Sequence, residues 1–100
     1  MAGLSESLMA SVGMRLAQLE LQLEHAQRAH ELNAKDQREW ARTILRSLSD
    51  IAQDADQMAV ILTANAVHHK VLTPTEAAEA ALISRNAVYK RVAAHFDPEA

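Results

Sequence analysis

The chain has no cysteine, which excludes a disulfide framework, a thiol nucleophile and any cysteine-bound zinc or iron–sulfur centre. Two glycines and two prolines leave almost nothing with which to build hairpin turns. Aromatic residues are equally scarce, one each of Trp, Tyr and Phe. The longest uncharged run, Gln57 to His69, falls well short of the roughly 20 residues a membrane span requires, so no membrane partner is expected. The opening MAGLSESLMASVG carries neither a basic n-region nor an unbroken apolar stretch. No secretory signal is therefore expected, and a cytoplasmic location is.

What is present is helix-forming. Apolar residues make up 49% of the 100 residues, and alanine dominates them. That composition and length predict one small all-α domain. The net charge of −3 argues against a generally basic nucleic-acid binder. The distribution says more than the sum, because Arg85, Lys90, Arg91 and His95 lie in a stretch, Leu82 to Phe96, that contains no acid.

Residues 1–70 read as a helical arm. Over the first predicted helix, about 4–32, Met9, Val12, Leu16, Leu19, Leu23 and Ala26 fall on one face at 100° per residue. Leu16, Leu19, Leu23, Ala26 and His30 follow the 3-4-3-4 spacing of a coiled-coil seam. Met14, Leu21 and Leu32 lie nearly opposite, so this helix needs partners on more than one side. Asn33 to Asp36 reads as a junction. Asn33 suits a left-handed helix end, and Asp36 with Glu39 makes a capping-box pattern.

The second predicted helix, about 37–69, carries Trp40, Ile44, Leu48, Ile51, Ala55, Met58, Leu62 and Ala66 on one stripe. A break near Ser49 or Asp50 is the minor alternative. A hairpin of two such rods still exposes an apolar ribbon, because no third layer covers it. The expectation is a long helical hairpin or coiled-coil-like arm that dimerises through Leu16, Leu19, Leu23, Trp40, Ile44, Leu48 and Ile51. Residues 58–67 are apolar almost all round, and the C-terminal segment is what remains to pack there.

Thr73-Pro74-Thr75-Glu76 predicts a strong helix start: a capping Thr, Pro in the first turn, and Glu closing a T-x-x-E box. Leu82-Ile83-Ser84 interrupts the helix, and Ser84 can cap a second one from Arg85 to about His95. Asp97-Pro98 predicts the end of order, with 97–100 a disordered tail. Two short helices joined by about three residues form a helix-turn-helix layout over 71–96.

Thr73 to Val92, TPTEAAEAALISRNAVYKRV, resembles the helix-turn-helix of bacterial and phage transcriptional regulators. Ala78 matches the small residue in mid first helix. Ile83, Val88 and Val92 match the apolar positions, and Ser84 matches the cap. The resemblance covers about a fifth of the chain. It implies sequence-specific binding of double-stranded DNA by a homodimer or higher oligomer. Arg85 and Asn86 would read base edges, and Thr75, Ser84, Tyr89, Lys90 and Arg91 would hold phosphates. Such families usually place glycine in the turn where Leu82 stands, so the turn is expected to be built differently, with the first helix extended by a residue.

Competing readings stay open. The three bases suit the solvated face of a C-terminal helix as well as DNA. A plasmid-partition, nucleoid or DNA-processing role would use the same residues. A protein-interaction module would use the N-terminal helices to grip a protein partner, with no DNA contact. His25 and His30 fall on different faces and His68 and His69 diverge, so neither a metal nor another cofactor is expected. A ligand-responsive switch on His68 and His69 is the weakest option. Glu20, Glu24 and Glu31 with Arg28 read as surface pairing. No phosphate loop, nucleophile elbow or triad spacing occurs, and the chain is not expected to be an enzyme.

Overall fold

A computed structural model describes residues 3–32 and 36–96. It is all-α: helix α1 spans Glu6–Leu32, α2 Gln37–His68, α3 Pro74–Ala81 and α4 Arg85–Phe96. No strand occurs among the described residues. The expected bounds of α1 and α2 agree to within two residues, and α2 runs unbroken past Ser49 and Asp50. Asn33, and the tail at 97–100, lie outside the described residues. The chain divides into two compact units, Ser11–Asp56 and Met1–Ala10 with Gln57–Ala100.

Helix α1 starts where the Ser5 hydroxyl accepts a hydrogen bond from the Leu8 amide at 3.0 Å, satisfying one of the orphan amides of the first turn. Asp36 does the same for α2, its Oδ1 accepting from the amides of Arg38 and Glu39. The Glu39 carboxylate lies 3.7 Å from Arg42.

Within the 11–56 unit, Gln22 Nε2 donates to Asp54 Oδ2 and Trp40 Nε1 donates to His30 Nδ1, each at 2.9 Å. These pairs run in opposite order along the two helices, so α1 and α2 lie antiparallel here. None of the unit's described residues is fully buried. Leu16, Leu23 and Leu48 keep 53%, 50% and 52% of their surface exposed, while Leu19, Trp40, Ile44 and Ile51 are half-buried. Two helices side by side leave this apolar stripe partly in water, as two-layer geometry requires.

The other unit holds the buried residues. At its centre Ala77, Ala78 and fully buried Val88 pack together, with Val67, Leu72 and Ile83 against them. Thr63, Ala64 and Ala66 of α2 are buried as well. The core is built mostly from alanine, and short side chains at the contact let helix axes approach closely.

Helix α2 closes in a Schellman arrangement. Lys70 takes φ 60°, the Val71 amide donates to the Ala66 carbonyl at 2.8 Å, and the Lys70 amide donates to the Val67 carbonyl at 3.1 Å. The chain then turns directly into the Thr73 cap.

Candidate nucleic-acid interface

Helix α3 begins as its sequence predicts. Thr73 is the N-cap: its hydroxyl accepts from the Glu76 amide at 3.2 Å, the Glu76 carboxylate accepts from the Thr73 amide at 3.0 Å, and Pro74 opens the helix. Those bonds favour the ionised carboxylate. The Thr73 amide foremost, then its side chain, hold Glu76 below its ordinary value of 4.5.

The turn after α3 corrects the sequence reading. Leu82 is not absorbed into an extended helix but takes φ 58° and ψ 43°, the left-handed conformation in which glycine was missing. The Ala78 carbonyl accepts from both the Leu82 and Ile83 amides, which closes α3 and turns Ile83 toward Ala77, Ala78 and Val88. The left-handed residue is a leucine with 90% of its surface in water. Helix α4 then starts from Ser84, whose hydroxyl accepts from the Ala87 amide at 3.1 Å.

Helical phase and the neighbouring α2 together set which α4 side chains face out. Val88 is buried against Ala77 and Ala78, and Ala87, Arg91 and Val92 on its flanks are half-buried. Arg85, Asn86, Tyr89 and Lys90 are exposed, as are Thr75 on α3 and Ser84 in the turn. Six of the seven residues expected to meet DNA are therefore exposed. Arg85 and Tyr89 are also tied to each other, Nη2 donating to the phenol oxygen at 3.4 Å.

The seventh, Arg91, departs from the group. It stands three residues after Val88, about 60° round the helix, on the packed side. Its Nη1 donates to the Thr63 hydroxyl of α2 at 3.2 Å, and that hydroxyl donates to the Ala59 carbonyl at 2.6 Å. Neither charge nor angular distance from Val88 announces this contact, since exposed Arg85 stands equally far round the helix on the other flank.

The end of α4 carries a contact that sequence reasoning missed. The Phe96 ring stacks on His68 with centroids 3.8 Å apart and planes inclined by 11°; His69 and His95 meet it edge-on. Arg91 and Phe96 are thus matched in order by Thr63 and His68. Both contacts tie α4 to the last turns of α2. Histidines at 68, 69 and 95 have no sequence spacing that announces such a cluster. Among the described residues no group of three or more His, Asp or Glu is arranged to hold a metal ion, and no helix is long and apolar enough to cross a membrane.

An apolar groove of about 200 Å³ lies between α2 and α3, lined by Leu62, Leu72, Thr63 and five alanines. Small-molecule sites occupy roughly 300–1,000 Å³, so this groove falls below their range. Comparison with protein-family models, curated proteins and solved structures matches none of them to this chain.

Proposed function

We propose that the chain is a dimeric helix-turn-helix protein that binds double-stranded DNA sequence-specifically, as a transcriptional regulator does. The observation that carries this reading is the pair α3 and α4: two helices with side-chain N-caps, joined by three residues, that turn an acid-free helix face to solvent. Helix α4 enters the major groove with its N-terminal end nearest the bases. Arg85 pairs with guanine O6 and N7, and Asn86 with adenine N6 and N7. Lys90 and Tyr89 reach phosphates. The hydroxyl hydrogens of Thr75 and Ser84 do the same, since Ser84 spends only a lone pair on its cap.

Two exposed bases on α4 and two acids, Glu76 and Glu79, on α3 make one such module a weak binder. Pairing two modules answers this. The half-exposed stripe of Leu16, Leu23 and Leu48, with Leu19, Trp40, Ile44 and Ile51, supplies the apolar surface on which a second copy packs.

Fluorescence anisotropy against pooled duplex DNA at low and moderate salt tests the reading. Binding that falls steeply with salt, and that Arg85→Ala with Lys90→Ala abolishes, supports it. No binding by the unaltered protein at low salt refutes it. The half-exposed stripe would then favour a helical protein-interaction module, whose partner is lost on Leu19→Asp or Ile44→Asp.

A further inference from the structure

We infer that Arg91 is a positioning residue that sets the rotation of α4 on the last turns of α2 through Thr63, and that it takes no phosphate. The inference rests on the DNA-reading proposal above and assigns within it a task that the charge pattern does not reveal.

Arg91, three residues after fully buried Val88, is half-buried, whereas Arg85, three residues before it on the other flank, is exposed. A half-buried arginine loses hydration and needs a fixed acceptor in return. Thr63 supplies one such acceptor. Its hydroxyl hydrogen is committed to the Ala59 carbonyl at 2.6 Å, so a lone pair is left for Arg91 Nη1 at 3.2 Å. Thr63 is itself buried, in the same turn of α2 as Ala64 and Ala66. The bond is therefore directional, partly screened from water and anchored to backbone. A second link between the two helices, Phe96 on His68, is a stack of flat faces that tolerates sliding. Val88 packs with Ala77 and Ala78, and Val67, Leu72 and Ile83 lie against that cluster; these apolar contacts hold α4 in place but lack the directionality of a hydrogen bond.

The consequence falls on the opposite side of α4, where Asn86 and Lys90 are exposed. Side-chain tips lie about 5–6 Å from a helix axis, so a rotation of about 10° moves them by roughly 1 Å. Recognition geometry must hold to about 0.5 Å. Loosening Arg91 should thus spoil base reading while leaving the charge that draws α4 to the backbone.

The test uses Arg91→Met, which keeps an unbranched apolar stem, Thr63→Val, which keeps shape and removes the hydroxyl, and the two combined. Each is measured by anisotropy across a salt series, on a duplex selected from a random pool by the unaltered protein and on random duplex, with thermal melting alongside. The expected result is a loss of about tenfold or more in the ratio of specific to non-specific affinity. Non-specific binding and the salt slope should stay as in the unaltered protein, and the double variant should be no worse than Arg91→Met alone. A salt slope shallower by about 1 for Arg91→Met marks a phosphate contact and overturns the inference. So does an equal loss on both duplexes that tracks a lowered melting temperature, which marks a merely structural bond. If Arg91→Met does not fold, Thr63→Val decides, and an unchanged ratio for it overturns the inference. Failure of the unaltered protein to bind any duplex is seen before a variant is made; it removes the DNA reading and this inference together.

Discussion

Leu82 offers a direct check on the geometry of the turn. An L-residue with a Cβ costs about 1–2 kcal/mol in the left-handed region relative to the right-handed one, and Leu82 sits there at φ 58°. With 90% of its surface exposed, its side chain returns almost nothing by burial. Glycine removes the Cβ penalty but loses about 0.5–1 kcal/mol more backbone entropy on folding. Leu82→Gly should therefore stabilise the protein by about 0.5–1 kcal/mol. Leu82→Ala keeps the Cβ and so should change stability by less than about 0.5 kcal/mol, as an exposed substitution does. For a domain of this size 1 kcal/mol shifts the melting temperature by roughly 4–8 °C, so circular dichroism melts resolve the two variants. A destabilising Leu82→Gly, or a loss above about 1 kcal/mol for Leu82→Ala, would sink the reasoning. Either result would mean that the leucine packs against something in solution, and dilution of the sample would then alter the melt.

Other perturbations follow from the same contacts. Val88→Ala removes two buried methyl groups at the centre of the α3–α4 core, worth about 2–3 kcal/mol with the cavity included; the urea midpoint should fall accordingly, and an unchanged midpoint would mean that this pair adds no cooperative stability. Glu76 is held below 4.5 by the Thr73 bonds. The unfolded chain therefore takes up the proton first as pH falls, so the cap's stabilisation is full above about 4.5 and is lost through the lowered folded value. Glu76→Gln should flatten that part of the urea midpoint between pH 5 and pH 3. Trp40 is the sole tryptophan and its Nε1 donates to His30 Nδ1; His30→Ala should shift its emission to the red and raise acrylamide quenching, whereas unchanged fluorescence would place the indole elsewhere in solution.

The local structure was legible in the sequence because its causes are local. Thr73, Pro74 and Glu76 specify the start of α3, and Ser84 the start of α4, through hydrogen bonds that span three residues. The stripe from Trp40 to Ala66 is a period-3.6 pattern that needs no knowledge of its partner to be seen. Composition fixed the fold class in the same way: abundant alanine with almost no glycine or proline permits helices and little else.

Tertiary structure decided what pattern could not. Helical phase puts Arg91 near Val88, and the position of Thr63, on another helix, gives the arginine an acceptor there. Only the packing of α4 along α2 brings Phe96 onto His68. Leu82 adopts a left-handed conformation that its own side chain disfavours. The Ala78 carbonyl and the burial of Ile83 close the turn around it, so the energy of the surrounding contacts outweighs the local preference. Local propensities amount to a few tenths of a kcal/mol to about one per residue, and a packed core applies several such amounts at one position. Sequence therefore determined where the helices start and which of their faces are apolar, while packing determined which charged residues remain in solvent.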